Sequence, residues 1–349
     1  MTGVNGERTE DGERTGDGLR RRRRRTVAVV VAGALLATAV GLWATDTRPS
    51  RADSYCWGAW QEHEIEGLLG GGALDDAVAV STESPPPTAA HPEGTCEMTV
   101  REKSGTERDI MSVTAAYGRF PADEHEHRER IARYLHGSAA ALPDGLDGAA
   151  SPDHALLVLP AACDVGGRPT TVTLSGEARD ESVMARLLVD LANTAMEKAG
   201  CAPDAPPTVT SPFTELPRSD RYPHYPRLCG IPGMAFDKLP GGAGGVEITG
   251  TYGNRLQICS LDFSSRSAGT GAMAHYVMAG TPRLAALFTG FPEGPGRRLV
   301  RTTCDGRPTV FYAQPDLLTG RGVPDDETVF TRFRQSVSKR VGCDDGGER

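Results

Sequence analysis

Short apolar runs alternate along this chain with polar, Gly- and Pro-rich stretches, and the runs recur in the same order twice. The clearest of them is a closing helix. In DESVMARLLVDLANTAMEKAGC, the residues Met184, Leu187, Leu188, Leu191 and Ala195 form one stripe at helical spacing. In DETVFTRFRQSVSKRVGC, Phe330, Phe333, Val337 and Val341 do the same. Asp180 and Asp326 stand where N-caps belong, and Gly200 and Gly342 where a helix ends in left-handed geometry. A stripe confined to one side predicts a helix packed on a sheet.

Upstream of each closing helix the pattern is strand-like. GVEITGTYGNRLQICSLDF reads as two strands joined at Tyr252-Gly253-Asn254, a turn chemistry that suits positive φ. AVAV and TCEMTV form the matching pair, separated by the Pro-rich loop STESPPPTAAHPEG. Helical regions are predicted over Ala122 to Leu135 and over Gly271 to Phe288, with a shorter one from Trp57 to Leu69. A hairpin follows in each case, HALLVLPAAC to TTVTL and RRLVRTTC to TVFYA, turning at DVGGRP or DGRP.

Cysteines fix the period of the repeat. They stand at positions 56, 96, 163, 201, 229, 259, 304 and 343, and the second four repeat the context of the first: CDVGGRPTTV at Cys163 against CDGRPTV at Cys304, CEMTV at Cys96 against CSLDF at Cys259. Two copies of one unit follow. An even count beyond an export segment reads as four disulfides. The third-to-fourth interval is 38 residues in one copy and 39 in the other, whereas second to third is 67 against 45. The near-constant interval favours Cys163 with Cys201 and Cys304 with Cys343, leaving Cys56 with Cys96 and Cys229 with Cys259, although four cysteines allow three connectivities per copy. Thiolate-bound metal would want a CxxC pair, which the chain lacks.

The other apolar run has a different character. Val27 to Ala44 is 18 residues without a charge, just enough for a bilayer core of ~30 Å, and it follows six consecutive arginines, Arg20 to Arg25. An arginine block on one flank and Trp43 near the other predict a transmembrane signal-anchor with its N-terminus in the cytoplasm. A cleaved signal peptide is the rival reading. Cutting after Ala37-Thr38-Ala39 would leave an apolar stretch of only about ten residues. The layout is therefore a basic cytoplasmic tail (1–26), the anchor (27–45), a stalk (46–54), a first repeat (55–202), a Pro-rich linker (203–227), a second repeat (228–345) and a short tail (346–349). The predicted fold class is α+β: two tandem disulfide-stapled domains, each an antiparallel sheet packed by helices, after one transmembrane helix.

Charge narrows the partners. The formal net charge is −8 although the first 25 residues carry eight arginines against five acids, so the remainder is strongly acidic. Nucleic acid is excluded as an expected partner, because backbone binding needs clustered Lys and Arg on the folded part. The lipid bilayer, through 27–45, and an envelope protein or ligand remain. Only Lys103, Lys198, Lys238 and Lys339 are lysines among 38 basic residues, a bias that GC-rich coding produces.

Catalytic signatures are missing: there is no GxSxG, HExxH, P-loop or EF-hand pattern. Gly269-Thr270-Gly271-Ala272-Met273-Ala274 resembles a truncated dinucleotide fingerprint but reads as the loop before a helix. In Asp123-Glu124-His125-Glu126-His127 the two histidines point to opposite sides of a helix, His127 with Ile131 and Tyr134, His125 with Glu129, so they cannot share a metal. Glu62, His63, Glu64 and Glu66 offer no better set. Ser336-Val337-Ser338-Lys339 matches SxxK, yet it lies in the last turns of a helix and not at its start. Trp57 and Trp60 beside Cys56 suit core packing more than a surface. No catalytic, cofactor or metal residue is predicted. The most distinctive polar groups present in both copies are Asp164/Arg168 and Asp305/Arg307, which either brace the duplicated turn or contact a ligand.

With one cysteine after the export segment, another on a strand and a last pair bracketing the final strand and helix, the chain resembles the membrane-tethered extracytoplasmic proteins common in actinobacteria such as Streptomyces. The resemblance covers about residues 20–345 and transfers no active-site residue. Because both copies retain parts of a fold and no catalytic motif, the expected role is a binding or scaffolding component of the cell envelope. The alternative is a cell-wall-modifying or hydrolytic enzyme with a site between the two domains.

Overall fold

Alternation builds the first sheet. Val113, Ala115 and Tyr117 point one way and Ser112 and Thr114 the other, and the neighbouring strands follow the same rule. The computed structural model describes residues 54–61, 65, 77–102, 109–214, 216–220, 228–234, 246–263, 272–293, 298–314 and 325–343, all within the compact unit Arg51–Arg349. The predicted tail 1–26, the predicted anchor 27–45, most of the predicted stalk and the residues 344–349 lie outside them. Among the described residues no helix is long and apolar enough to cross a membrane.

In chain order, copy 1 comprises β1 (Ser54–Tyr55), β2 (Trp60–Gln61), β3 (Ala77–Glu83), β4 (Gly94–Glu102), β5 (Asp109–Arg119), α1 (Glu124–Tyr134), β6 (Ala140–Ala141), β7 (Gly148–Ala150), β8 (His154–Val158), β9 (Thr170–Gly176) and α2 (Glu181–Ala199). Copy 2 comprises β10 (Arg218–Asp220), β11 (Val246–Thr251), β12 (Leu256–Phe263), β13 (Ala272–Ala279), α3 (Pro282–Ala286), β14 (Leu299–Cys304), β15 (Arg307–Gln314) and α4 (Asp326–Val341). The main sheets run β3-β4-β5-β9-β8-β7-β6 and β10-β11-β12-β13-β15-β14. All their pairs are antiparallel. The molecule is thus α+β with antiparallel sheets.

The duplication extends to register. Cys96 faces Ala115, which faces Leu174; in copy 2, Cys259 faces Tyr276, which faces Ala313. Each sheet buries one face under its closing helix. Cys96, Met98, Ala115 and Leu174 meet Leu188 and Leu191 of α2, and Cys259, Tyr276 and Phe311 meet Phe330 and Phe333 of α4. A further cluster draws on both copies: Ile131, Tyr134, Leu156 and Val158 pack with Ile258, Val277, Phe288 and Tyr312. The layers therefore run α2, first sheet, α1 with α3, second sheet, α4.

The cysteine pairs join Cys56 to Cys96, Cys163 to Cys201, Cys229 to Cys259 and Cys304 to Cys343, each within one copy. This is the pairing that the intervals favour. Gly200 and Gly342 end the closing helices at φ 73° and 66°. Asp180 caps α2 by accepting the Val183 N–H, but in copy 2 the cap is Asp325, which accepts from Thr328 at 2.9 Å, and Asp326 is the first helical residue.

Several segments differ from their sequence patterns. Gly271 to Phe288, expected to be helical, contains strand β13 and only the short α3. Both faces of β13 are buried, so its residues show no polar alternation to announce a strand; Thr281 as N-cap and Pro282 at the first position open the helix behind it. Trp57 to Gln61 is a turn and strand; Cys56, Trp57 and Gly58 all have positive φ, and the Glu83 carboxylate accepts the Cys56 and Trp57 N–H groups. Of the rest of that predicted segment, Ile65 is helical and the other positions fall outside the described residues. The Tyr252-Gly253-Asn254 turn closes its hairpin without a positive φ. Part of the Pro-rich linker is docked: Val209 and Phe213 pack on copy 1, Asn193 donates to the Pro207 carbonyl, and Arg218–Asp220 pairs with β11.

Candidate functional site

The duplicated turn owes its shape to backbone sign. Gly166 and Gly167 both have positive φ, as do Asp305 and Gly306, so each pair forms the primed turn that a two-residue hairpin requires. This aligns Arg168 with Arg307, but it aligns Asp305 with Gly166. Asp164 and Asp305 are therefore not counterparts. The residues also take different partners. Asp305 and Arg307 meet at 3.4 Å on the exposed turn. Arg168 donates to the Pro121 carbonyl at 3.1 Å, and Asp164 receives a two-pronged contact from Arg283 of copy 2, at 2.7 and 2.5 Å. Arg283 also donates to the Leu159 carbonyl.

That contact is one of a series joining the copies. Arg255 reaches Asp147 and the Gly145 and Leu146 carbonyls, Thr281 donates to Asp147 at 2.7 Å, and His136 Nε2 lies 3.1 Å from Asp262. Substituting Ala for Arg283 or for Asp164 is expected to lower stability by about 1–3 kcal/mol. In a urea-denaturation double-mutant cycle the pair should couple by ~1–2 kcal/mol; additive losses would show that the two groups do not interact.

Two buried histidines sit in the same seam. His127 of α1 lies edge-on between Phe120 and Phe291, with ring centroids 5.4 and 4.5 Å away. Burial holds its pKa down at about 4, against a smaller opposing effect of a hydrogen bond with the Leu287 backbone. His275 of β13 donates through Nε2 to the Leu135 carbonyl at 2.5 Å. Burial again depresses its pKa to about 4.

His275 belongs to a row of residues that crosses the second sheet. Thr249, Ser260, His275 and Gln314 are successive partners on β11, β12, β13 and β15, all on the face toward copy 1. The Gly137 N–H donates to Ser260 Oγ at 2.8 Å, and Gly137 lies so close to the Thr249 carbonyl that no side chain fits. The equivalent row of copy 1 is Thr82, Glu97, Thr114, Ser175 and His154, on β3, β4, β5, β9 and β8. Thr82, Glu97 and Thr114 are exposed, and Ser175 and His154 are half-buried. Asp153 Oδ2 holds His154 Nδ1 at 3.0 Å, and the Tyr134 hydroxyl lies 3.0 Å from Ser175 Oγ. Hydrogen bonding from His154 lowers the Asp153 pKa to about 2, which fixes a carboxylate behind the ring.

The remaining sequence candidates are placed plainly. His125 is exposed and lies 3.4 Å from Glu129, while His127 faces inward, so the two do not converge. Ser336 donates to the Pro232 carbonyl near the end of α4. Trp60 is buried and donates to the Leu187 carbonyl; Trp57 is half-buried, with its ring over Gly94 and its N–H on the Ser84 carbonyl. Residues 269–271 and 62–64, with Glu66, lie outside the described set, and Ala272 begins β13. Among the described residues no group of His, Cys, Asp and Glu is arranged to hold a metal. The row on copy 1 escapes sequence reading because its members come from five strands, although the alternation of Ser112 and Thr114 with Val113, Ala115 and Tyr117 marks β5 as a strand with a polar face. Comparison with protein-family models, with curated proteins and with solved structures finds no match to this chain.

Proposed function

We propose that the chain is a membrane-tethered extracytoplasmic binding or scaffolding protein of the bacterial cell envelope, of the actinobacterial type that its cysteine layout resembles. In this reading residues 27–45 anchor it in the bilayer with the N-terminus inside, and two disulfide-stapled α+β domains stand outside the cell. The observation that carries the reading is the open row on copy 1. It is a set of polar side chains, three exposed and two half-buried, held on a sheet whose opposite face is buried under α2 and tied by Cys56–Cys96. A face so supported presents its groups at fixed spacing, which is what recognition asks of a scaffold.

Function by binding has two expected results. The full chain, purified in detergent, shows no turnover of peptidoglycan fragments, esters or peptides above buffer; turnover abolished by one side-chain substitution that leaves the fold intact would establish the enzymatic alternative instead. N-terminal sequencing of membrane-extracted protein finds residues from before position 27, and a soluble species beginning near Val40 would count against the tether.

A further inference from the structure

The two rows that cross the sheets are the same structural feature in two states of occupancy. The shared run β3-β4-β5-β9-β8 against β11-β12-β13-β15-β14, with matching register, makes Thr82 the counterpart of Thr249, Glu97 of Ser260, Thr114 of His275 and Ser175 of Gln314. On copy 2 the row holds peptide backbone. Its His275 supplies a donor to one carbonyl, its Ser260 accepts one N–H, and the Thr249 carbonyl sits against a glycine. The segment held is the turn that follows α1, residues 135–138, in which the Ala139 N–H closes onto the His136 carbonyl.

The same positions on copy 1 are chemically able to do this; Thr82, Glu97 and Thr114 face solvent, while Ser175 and His154 are half-buried at the end of the row, with Ser175 Oγ beside the Tyr134 hydroxyl. Thr114 and Ser175 each carry a hydroxyl that donates to a carbonyl or accepts an N–H. The Asp153 carboxylate accepts a hydrogen bond from His154 Nδ1, which leaves Nε2 as the ring's other polar atom. The substitution that matters is Glu97 for Ser260. A hydroxyl that accepts one neutral N–H is replaced by a carboxylate, which prefers a cationic donor. Apolar contacts change in the opposite sense: Ile258 and Val277, buried in the seam, correspond to Thr95 and Ala116. A face of this composition suits an occupant that exchanges with water rather than a permanently packed neighbour.

We propose that the row Thr82–Glu97–Thr114–Ser175–His154 is a docking site for a glycine-containing peptide segment of a partner protein, whose backbone lies across β4, β5 and β9 and whose ammonium or guanidinium group pairs with Glu97. Five strands spaced about 4.8 Å apart give the row a length of about 19 Å, enough for a segment of some six residues. This site rests on the binding reading above and names its ligand class. Affinity is expected to fall with salt, since Glu97 is exposed.

The test uses the full chain in detergent and an array of hexapeptides in which glycine and lysine positions are scanned, with the retained peptides then titrated by fluorescence anisotropy. Peptides with Gly and one Lys or Arg should be retained, and Glu97→Gln should weaken them at least about tenfold, the value of one charge-assisted contact. Thr114→Lys, which adds bulk and like charge at an exposed position, should abolish binding while the melting curve stays that of the parent. Retention that is indifferent to both substitutions, or no retention at all, overturns the site. Chito-oligosaccharides run as a parallel arm separate the two levels. If they bind and Thr114→Lys blocks them, the peptide class is wrong and the binding reading stands; if the peptides are cleaved, the binding reading itself fails.

Discussion

Gly137→Val should destabilise the packing of the two copies on each other. A Cβ at this position would stand 2.8 Å from the carbonyl carbon of Thr249, closer still to its oxygen, and 3.0 Å from Ser260 Cβ, all in the other copy. The nearest of these atoms are backbone within the pair β11–β12, so they cannot swing away as a side-chain end could. The turn would have to lift, breaking the Gly137 N–H bond to Ser260 and the His275 bond to Leu135 together. Overpacking of this kind costs roughly 1–3 kcal/mol, and two buried bonds lost with it bring the expected destabilisation to about 4 kcal/mol. Calorimetry of the full chain is expected to show a lower melting temperature, and limited proteolysis to cut near the linker. An unchanged melting curve would mean that the turn is not seated on the second sheet as described. Substituting the exposed Glu129 by Ala serves as the control and should leave melting unaffected.

Much of this architecture was legible in the sequence, and the limits of legibility have physical causes. The closing helices announced themselves because one face alone is buried, which imprints a period on Leu187, Leu188 and Leu191 or on Phe330 and Phe333. The primed turns were written in Gly-Gly and Asp-Gly, and the disulfides in the cysteine intervals. Strand β13 left no such imprint. It is covered by α4 on one side and by copy 1 on the other, so Ala274 to Ala279, with the single polar residue His275, shows no alternation of polar and apolar positions. The partner of Asp164 was equally out of reach, since Arg283 is brought to it by the packing of one copy on the other across 119 positions of chain. Local patterns report which side of an element is wet. They do not report which element lies on the dry side.

The difference between the copies follows from that same packing. Glu97, Thr95 and Thr114 on the first sheet match Ser260, Ile258 and His275 on the second, so one face was kept fit for water and the other for a neighbour. Burying the second face brought two histidines into the dry region with it, and this makes the seam sensitive to acid.

Stability should fall as pH drops from about 6.5 to about 4, before the carboxylates titrate. The folded-state pKa values of His127 and His275 are both depressed from 6.5 to about 4, chiefly by burial. Arg168 adds to the effect at His127, His136 adds to it at His275, and Asp262 opposes it there. Unfolded chain therefore binds protons in this window that the folded chain refuses, and stability declines as pH falls. Above 6.5 both states hold neutral rings and nothing is lost. Each histidine accounts for about 3 kcal/mol over the full window. Asp144 and Asp153, with pKa values likewise lowered to about 2 by hydrogen bonds from Ser211 and His154 respectively, act in the same direction but in a lower range, losing their contribution only below about pH 4. Urea midpoints measured at half-unit steps from pH 7.5 to 4.5 should trace the loss. In His127→Phe/His275→Gln the profile should flatten, because phenylalanine keeps the edge contacts with Phe120 and Phe291 while glutamine can still donate to Leu135 and neither takes a proton. The glutamine carries the safer half of the test, since it replaces a ring that has a bonded Nε2 and, among the described residues, an Nδ1 without a hydrogen-bond partner. Parallel pH profiles for the parent and the double variant would place the acid sensitivity elsewhere and remove these two rings as its source.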